Sequence, residues 1–222
     1  MSATEEFVSL PVGQPAEPEA SSAPARSRAA TRQRIVEAGT ALFAREGLHS
    51  VTSARIAKAA GVASGTFYLH FRDKKALFRE IVFAALGQLQ EAQRQATEAA
   101  GADLAAQVRA RIVELAAFTE QNRHLITLVF GRDHEAASLG EDVLESLRPS
   151  AEDALREQVA SGDLQGASLA VASQVLMGMQ MRVIAWWAED PSRATRAEVI
   201  ETLCRMHPLL RPSGNGAGGD EA

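Results

Sequence analysis

VTSARIAKAAGVASGTFYLHF, residues 51–71, contains two short runs of helical apolar periodicity with a glycine between them. Thr52 is a strong N-cap for the first run, and Ile56, Ala57 and Ala60 supply its inner face. Gly61 permits a sharp turn because glycine takes positive φ without a steric cost. The second run covers about 64–70 and sets Phe67 and Phe71 on one side. Ile56, Val62 and Phe67 then lock two crossing helices together, and Ala57 is small where they cross. This is a helix-turn-helix unit.

The flanks extend the pattern. Before it, Ile35, Ala38, Leu42 and Phe43 form one stripe of a helix over about 27–46, which Gly47 ends as a C′ glycine. After it, Asp73 caps a long helix that keeps Leu77, Phe78, Ile81, Val82, Ala85 and Leu89 on one face. Further helices are expected at about 102–119, 122–131 and 141–160, the last kinked at Pro149, then at 165–189 and 192–210 around Asp190-Pro191. No run alternates long enough for a sheet, so the fold class is all-α. Residues 1–25 and 211–222 read as a disordered arm and a disordered Gly-rich tail.

Charge is divided unevenly. Residues 24–82 hold 11 bases against 4 acids, a balance of +7, within a chain of net charge −5. Such asymmetry suggests a polyanion-binding module joined to a non-binding one, and a merely solvated basic face fits charge alone about as well. Ser64, Gly65, Thr66, Tyr68, Leu69 and His70 face outward from the second helix of the unit, a small and polar surface suited to a major groove.

With these residues in place the stretch IAKAAGVASGTFYLHFRDKKALF resembles the TetR/AcrR signature: Ile-Ala, Gly-Val, Gly-Thr-x-Tyr, His-Phe and Lys-x-x-Leu in that order and spacing. AGTALFAREGLHSVT resembles the family's first helix, and the match covers about 29–89. The resemblance implies an N-terminal three-helix DNA-binding domain (29–89, motif 52–71) followed by a helical effector-binding and dimerisation domain (90–210). It implies phosphate contacts from Thr52, Ser53, Tyr68, His70 and Lys74, and base contacts nearest Ser64, Gly65 and Thr66. Arg26 and Arg28, ahead of the first helix, would reach an adjacent minor groove. Ala63 departs from the family, which usually has a capping Ser there; the cap then falls to Ser64, which would shift the helix start by a residue.

The implied partners are double-stranded operator DNA, a second copy of the chain and a small-molecule effector. Effector candidates are Met177, Met181 and Ile184, opposed by Phe118, Leu125, Val129 and Phe130, although plain core suits each of them too. Arg123, His124 and Gln180 are polar candidates, and Gly178 leaves room for a ligand or a close helix crossing. Leu169, Ala172, Leu176, Met179, Val183 and Trp186, with Val199, Leu203, Met206 and Leu210, step by 3 and 4. That is a bundle seam, read here as the dimer interface in preference to burial within one chain.

Catalysis is not expected. None of the five histidines falls in a metal-binding spacing, and no nucleophile elbow or phosphate loop occurs, so no metal and no cofactor are expected. Cys204 is alone and reads as buried filler. No export signal is evident, and the apolar stretches are interrupted by charge before ~18 residues, so no membrane partner and a cytoplasmic location are expected. An interaction protein that has lost DNA binding is the main rival, and the sign of regulation stays open.

Overall fold

The structure is a computed structural model that describes residues 23–131, 137–161 and 168–207. Among the described residues every regular element is helical. α1 (Ala23–Ser50), α2 (Ser53–Ala59) and α3 (Ser64–His70) precede the long α4 (Lys74–Ala99). α5 (Leu104–Gln121), α6 (Arg123–Phe130), α7 (Ala137–Ser161), α8 (Leu169–Glu189) and α9 (Arg196–Met206) follow. Leu210, the expected end of the last helix and the two terminal segments expected to be disordered lie outside the described residues.

Local chemistry fixes the helix ends. Gly47 has φ 76° and ψ 167°, so α1 breaks where the glycine was expected to stop it. Thr52 Oγ1 accepts from Arg55 N at 3.3 Å, and Asp73 accepts from Ala76 N at 2.8 Å. Gly61 turns the chain between α2 and α3 at φ 66°. α1 starts at Ala23, inside the stretch expected to be a free arm. Its alanines and arginines are good helix formers, and Pro24 falls in the first turn, where a missing N–H is tolerated. α9 begins later than expected because Thr195 and Glu198 form a reciprocal capping box. α7 runs through Pro149 as one helix.

One apolar core unites the two ends of the chain. Ile35, Phe43, Ile56, Phe67, Leu77 and Phe78 fill its N-terminal part, and Phe43 meets Phe78 edge-on at 5.3 Å. α1 packs on α2, α4 and α6, while α5 packs on α4, α8 and α9, and α8 on α6 and α7. α4 therefore belongs to both halves: Leu77, Phe78 and Ile81 serve the head, and Leu86 and Leu89 the bundle. Arg32 of α1 pairs with Glu80, and Arg79 with Asp142 of α7, so ion pairs tie α4 to both sides.

α8 carries Arg182 inside its apolar run, as expected. It is 21 residues long with a hydropathy of 1.2, long and apolar enough by length and composition to cross a membrane. Its apolarity has two addresses: Leu176, Ile184 and Trp187 are buried in the bundle, while Val171 and Val175 are exposed.

Candidate nucleic-acid interface and bundle cavities

α3 presents the outward face that its periodicity requires. Phe67 is fully buried and touches Phe71 and Tyr68. Tyr68 and Leu69 are 59% and 72% exposed, and Ser64 and Gly65 are exposed beside them. A Cβ at Gly65 would meet nothing within 4 Å, so the start of α3 is open on its outer side. Thr66 is half-buried, with its N–H donating to Ala63 O at 2.9 Å. Ala63 itself is the N-cap and offers no side-chain bond, so α3 starts at Ser64 and the one-residue shift does not occur. The N–H groups of this uncapped end remain available to an acceptor.

Arg26 and Arg28 lie on α1 and not in a free arm before it. Both are exposed. Burial first, then Arg28 and Arg32, holds the pKa of half-buried His70 below its ordinary value, which places those guanidinium groups beside the end of α3. Thr52 is exposed and Ser53 half-buried at the start of α2.

Lys74 is placed differently from its expected role. Its Nζ donates to the carbonyls of Leu48 and His49 at 2.7 and 3.0 Å, tying α4 to the end of α1. A cation is disfavoured at a helix N-terminus, and here it satisfies the carbonyls left open after Gly47. Lys58 and Lys75 are exposed, with no ion pair among the described residues. They are the better candidates for phosphate, and their place in the basic segment was the available signal.

In the bundle, six of the seven effector candidates converge. Phe118, Leu125, Val129, Phe130, Met181 and Ile184 line one apolar cavity of about 50 Å³. Met177 lines a second cavity of about 450 Å³, and Leu89, Leu115, Leu147 and Met181 belong to both walls. Gln180 lines the larger one. Arg111 and His207 also line it and were missed. The signal was in the sequence: Val108, Arg111 and Leu115 step by 3 and 4, which sets a cation on an apolar stripe.

The other polar candidates go elsewhere. Arg123 donates to Trp187 O at 3.1 Å and lies 4.9 Å from the centre of its ring. His124 Nε2 is buried without a hydrogen-bond partner among the described residues, and burial lowers the pKa of the ring. Trp187 is buried and donates to Ala194 O at 2.8 Å, so it packs and holds the lead-in to α9. Cys204 is buried, which pushes its thiol pKa up, as suits filler.

The expected dimer seam divides. Leu176, Val199 and Leu203 are buried within the chain. Leu169, Ala172, Met179 and Val183 are half-buried, and Trp186 and Met206 are exposed. The face of α8 left uncovered instead follows Val171, Val175, Gly178, Arg182 and Trp186. A Cβ at Gly178 would meet nothing within 4 Å, so this glycine faces open space on the uncovered side of α8 and lines neither cavity.

Together these elements define a helix-turn-helix protein whose recognition helix is exposed and whose helical C-terminal part encloses cavities. Residues 35–81 match the family model of bacterial regulatory proteins, tetR family. The chain is 31% identical over 114 residues to the HTH-type transcriptional regulator AcrR of Shigella flexneri, which covers 50% of this chain and 52% of that one. It is 48% identical over 46 residues to an HTH-type transcriptional regulator of Staphylococcus aureus, covering 21% of this chain and 25% of the relative. The chain thus spans about half the length, or less, of these curated relatives. Similar solved structures include a TetR-family regulator of Syntrophomonas wolfei (TM-score 0.69, 17% identity, 81% of this chain and 94% of that one). Another is Thermus thermophilus FadR, a TetR-family repressor in complex with lauroyl-CoA (TM-score 0.63, 25% identity, 85% and 100%). Residues 35–81 are thus similar to the tetR-family DNA-binding segment, and the chain as a whole shares the fold of TetR-family structures.

Proposed function

We propose that this protein is a ligand-responsive transcriptional repressor that binds a palindromic operator as a homodimer. The exposed face of α3 carries the reading. Tyr68 and Leu69 are large side chains left in water although the buried rings of Phe67 and Phe71 complete the inner side. Ser64, Gly65 and Thr66 are nearest the bases in this reading, while Thr52, Ser53, Tyr68, His70, Lys58 and Lys75 meet phosphates and Arg28 the flanking backbone or minor groove. The head is assigned to about 29–89 and the effector and dimerisation part to 90–210.

Two copies would join through the uncovered face of α8 around Val171, Val175 and Trp186, with Met206 beside it. The dimer would hold two recognition helices one DNA turn apart, roughly 34–36 Å. An effector in the bundle cavities favours a conformation with a different spacing and so releases the operator. The complex of the Thermus thermophilus FadR neighbour with lauroyl-CoA supports a ligand-responsive reading. Nothing in this reading calls for catalysis.

The test is fluorescence anisotropy against DNA upstream of the protein's own gene at several salt concentrations. Tight binding should weaken steeply with salt as phosphate contacts release counterions. A Tyr68→Ala/Lys75→Ala variant should lose most of that affinity and keep its helical circular dichroism. Equal, weak binding of both proteins to operator and random DNA would sink the DNA-reader assignment.

A further inference from the structure

The larger cavity is chemically lopsided. Leu89, Val108, Ile112, Leu115, Leu176 and Met177 make much of its wall apolar. Among its charged lining residues, Arg94 and Glu98 pair with each other at 2.5 Å, and Arg94 also pairs with Glu91 at 2.6 Å. Arg111 is different. Its main-chain carbonyl accepts from Gln93 Nε2 at 3.0 Å, but its guanidinium has no carboxylate partner among the described residues.

Burial lowers the pKa of Arg111. Burial first, then the nearby Arg111, brings buried His207 down to about 4. At neutral pH the imidazole is therefore uncharged, while an arginine stays protonated. Arg111 is the one uncompensated charge on the described wall. A half-buried guanidinium without an acceptor is costly, and an anion beside it would remove that cost.

The smaller cavity adjoins the larger one. It shares Leu89, Leu115, Leu147 and Met181 with the larger one, and every residue that lines it is apolar. The two adjoining spaces together offer one unpaired cationic anchor among the described residues and, beyond Met181, an apolar space that reaches Phe118.

Resting on the effector reading above, we infer that the effector is a mono-anionic amphiphile, an apolar chain bearing one carboxylate that pairs with Arg111. A planar guanidinium suits a carboxylate in two parallel hydrogen bonds. One unpaired cation matches one negative charge. A polyanionic headgroup would leave its remaining charges against an apolar wall.

Isothermal titration calorimetry of the full chain with sodium decanoate, decanol, decyltrimethylammonium and decanoyl-CoA tests this. Decanoate should bind the wild type, and Arg111→Gln should weaken it by about tenfold or more, the loss expected for a charged hydrogen-bond pair. Arg111→Lys should recover part of the loss. Decanol should bind more weakly and equally to wild type and Arg111→Gln. A melting curve for ligand-free Arg111→Gln, at or above that of the wild type, would exclude misfolding as the cause. Decanol or the cationic amphiphile binding as tightly as decanoate, or an unchanged decanoate affinity in Arg111→Gln, would overturn the headgroup assignment and leave the cavity as an effector site. Binding of decanoyl-CoA alone would overturn it in favour of a headgroup held outside this space. Heat from none of the four would overturn both the headgroup and the cavity reading.

Discussion

In the head, Phe67 and Phe71 lie 5.9 Å apart and Phe43 and Phe78 5.3 Å apart, with Ile35, Val51, Ile56 and Leu77 fully enclosed around them. In the bundle, residues of the same apolar kind stand around about 450 Å³ of open space, and Val171 and Val175 face outward. The head is held by caps, edge-on rings and the Lys74 tie. The bundle relies on longer helices and side-chain volume, and it leaves the Arg111 guanidinium without a carboxylate partner among the described residues. A DNA duplex presents a rigid, repeating shape, so its reader profits from a fixed surface. A chamber for a small molecule has to leave volume unfilled, and unfilled volume lowers stability.

The contrast can be attacked at several points. Phe67→Ala removes the ring on which α3 sits and should cost about 3–5 kcal/mol in chemical denaturation, abolishing operator binding. Retention of operator affinity in this variant would show that the head is not fixed by its core. In the bundle, the pH dependence of stability should carry the mark of His207. The unfolded chain takes up a proton near the ordinary 6.5, whereas the folded chain resists protonation down to about 4. Stability should therefore fall as pH drops through that window, by on the order of 3 kcal/mol, and level off below it. His207→Asn should flatten the profile measured by urea titration from pH 7 to 4.

Val175→Glu places a charge on the uncovered face of α8 and should weaken self-association about 100-fold in analytical ultracentrifugation, with the fold intact. An unchanged assembly would move the interface elsewhere. Lys74→Met separates structure from recognition: it should cost about 1–2 kcal/mol of stability by freeing the carbonyls of Leu48 and His49, and leave the salt dependence of DNA binding unaltered. A reduced salt slope would restore Lys74 to the phosphate contacts. The smallest effect is expected from Thr195→Ala, which removes the cap of α9 and should cost about 1 kcal/mol in thermal melting.

The sequence was most legible where short-range chemistry decides. Thr52, Gly61 and Asp73 announced the ends of α2, α3 and α4, and alternating apolar positions separated buried Phe67 from exposed Tyr68 and Leu69. Six effector candidates could be drawn together because helical periodicity put each on an inward face. The tie made by Lys74 was not legible because its partners, the carbonyls after Gly47, lie 25 and 26 residues away, and no local pattern states such a contact. The 3/4 stepping of Leu176, Val199 and Leu203 was real, but stepping marks a packed face without naming what packs on it. Here those residues face the chain's own core. Arg111 was overlooked for the opposite reason: an arginine passes for a solvated residue until the fold shows it lining a cavity with no acid beside it among the described residues.

In the proposed ligand response α4 would act as a lever. It runs unbroken from Lys74, under the head, to Leu89 in the wall of both cavities. At 1.5 Å per residue those positions are roughly 22 Å apart along the axis. A tilt of about 6° pivoting at the cavity end would then sweep the head end through roughly 2 Å over that arm. In the proposed dimer, with two copies facing opposite ways, the sweep would double, and the pair of recognition helices would be out of step with successive grooves before any side chain in the interface had changed its rotamer. A molecule only large enough to press on Leu89 would thus be magnified into a mismatch on the scale of a base step.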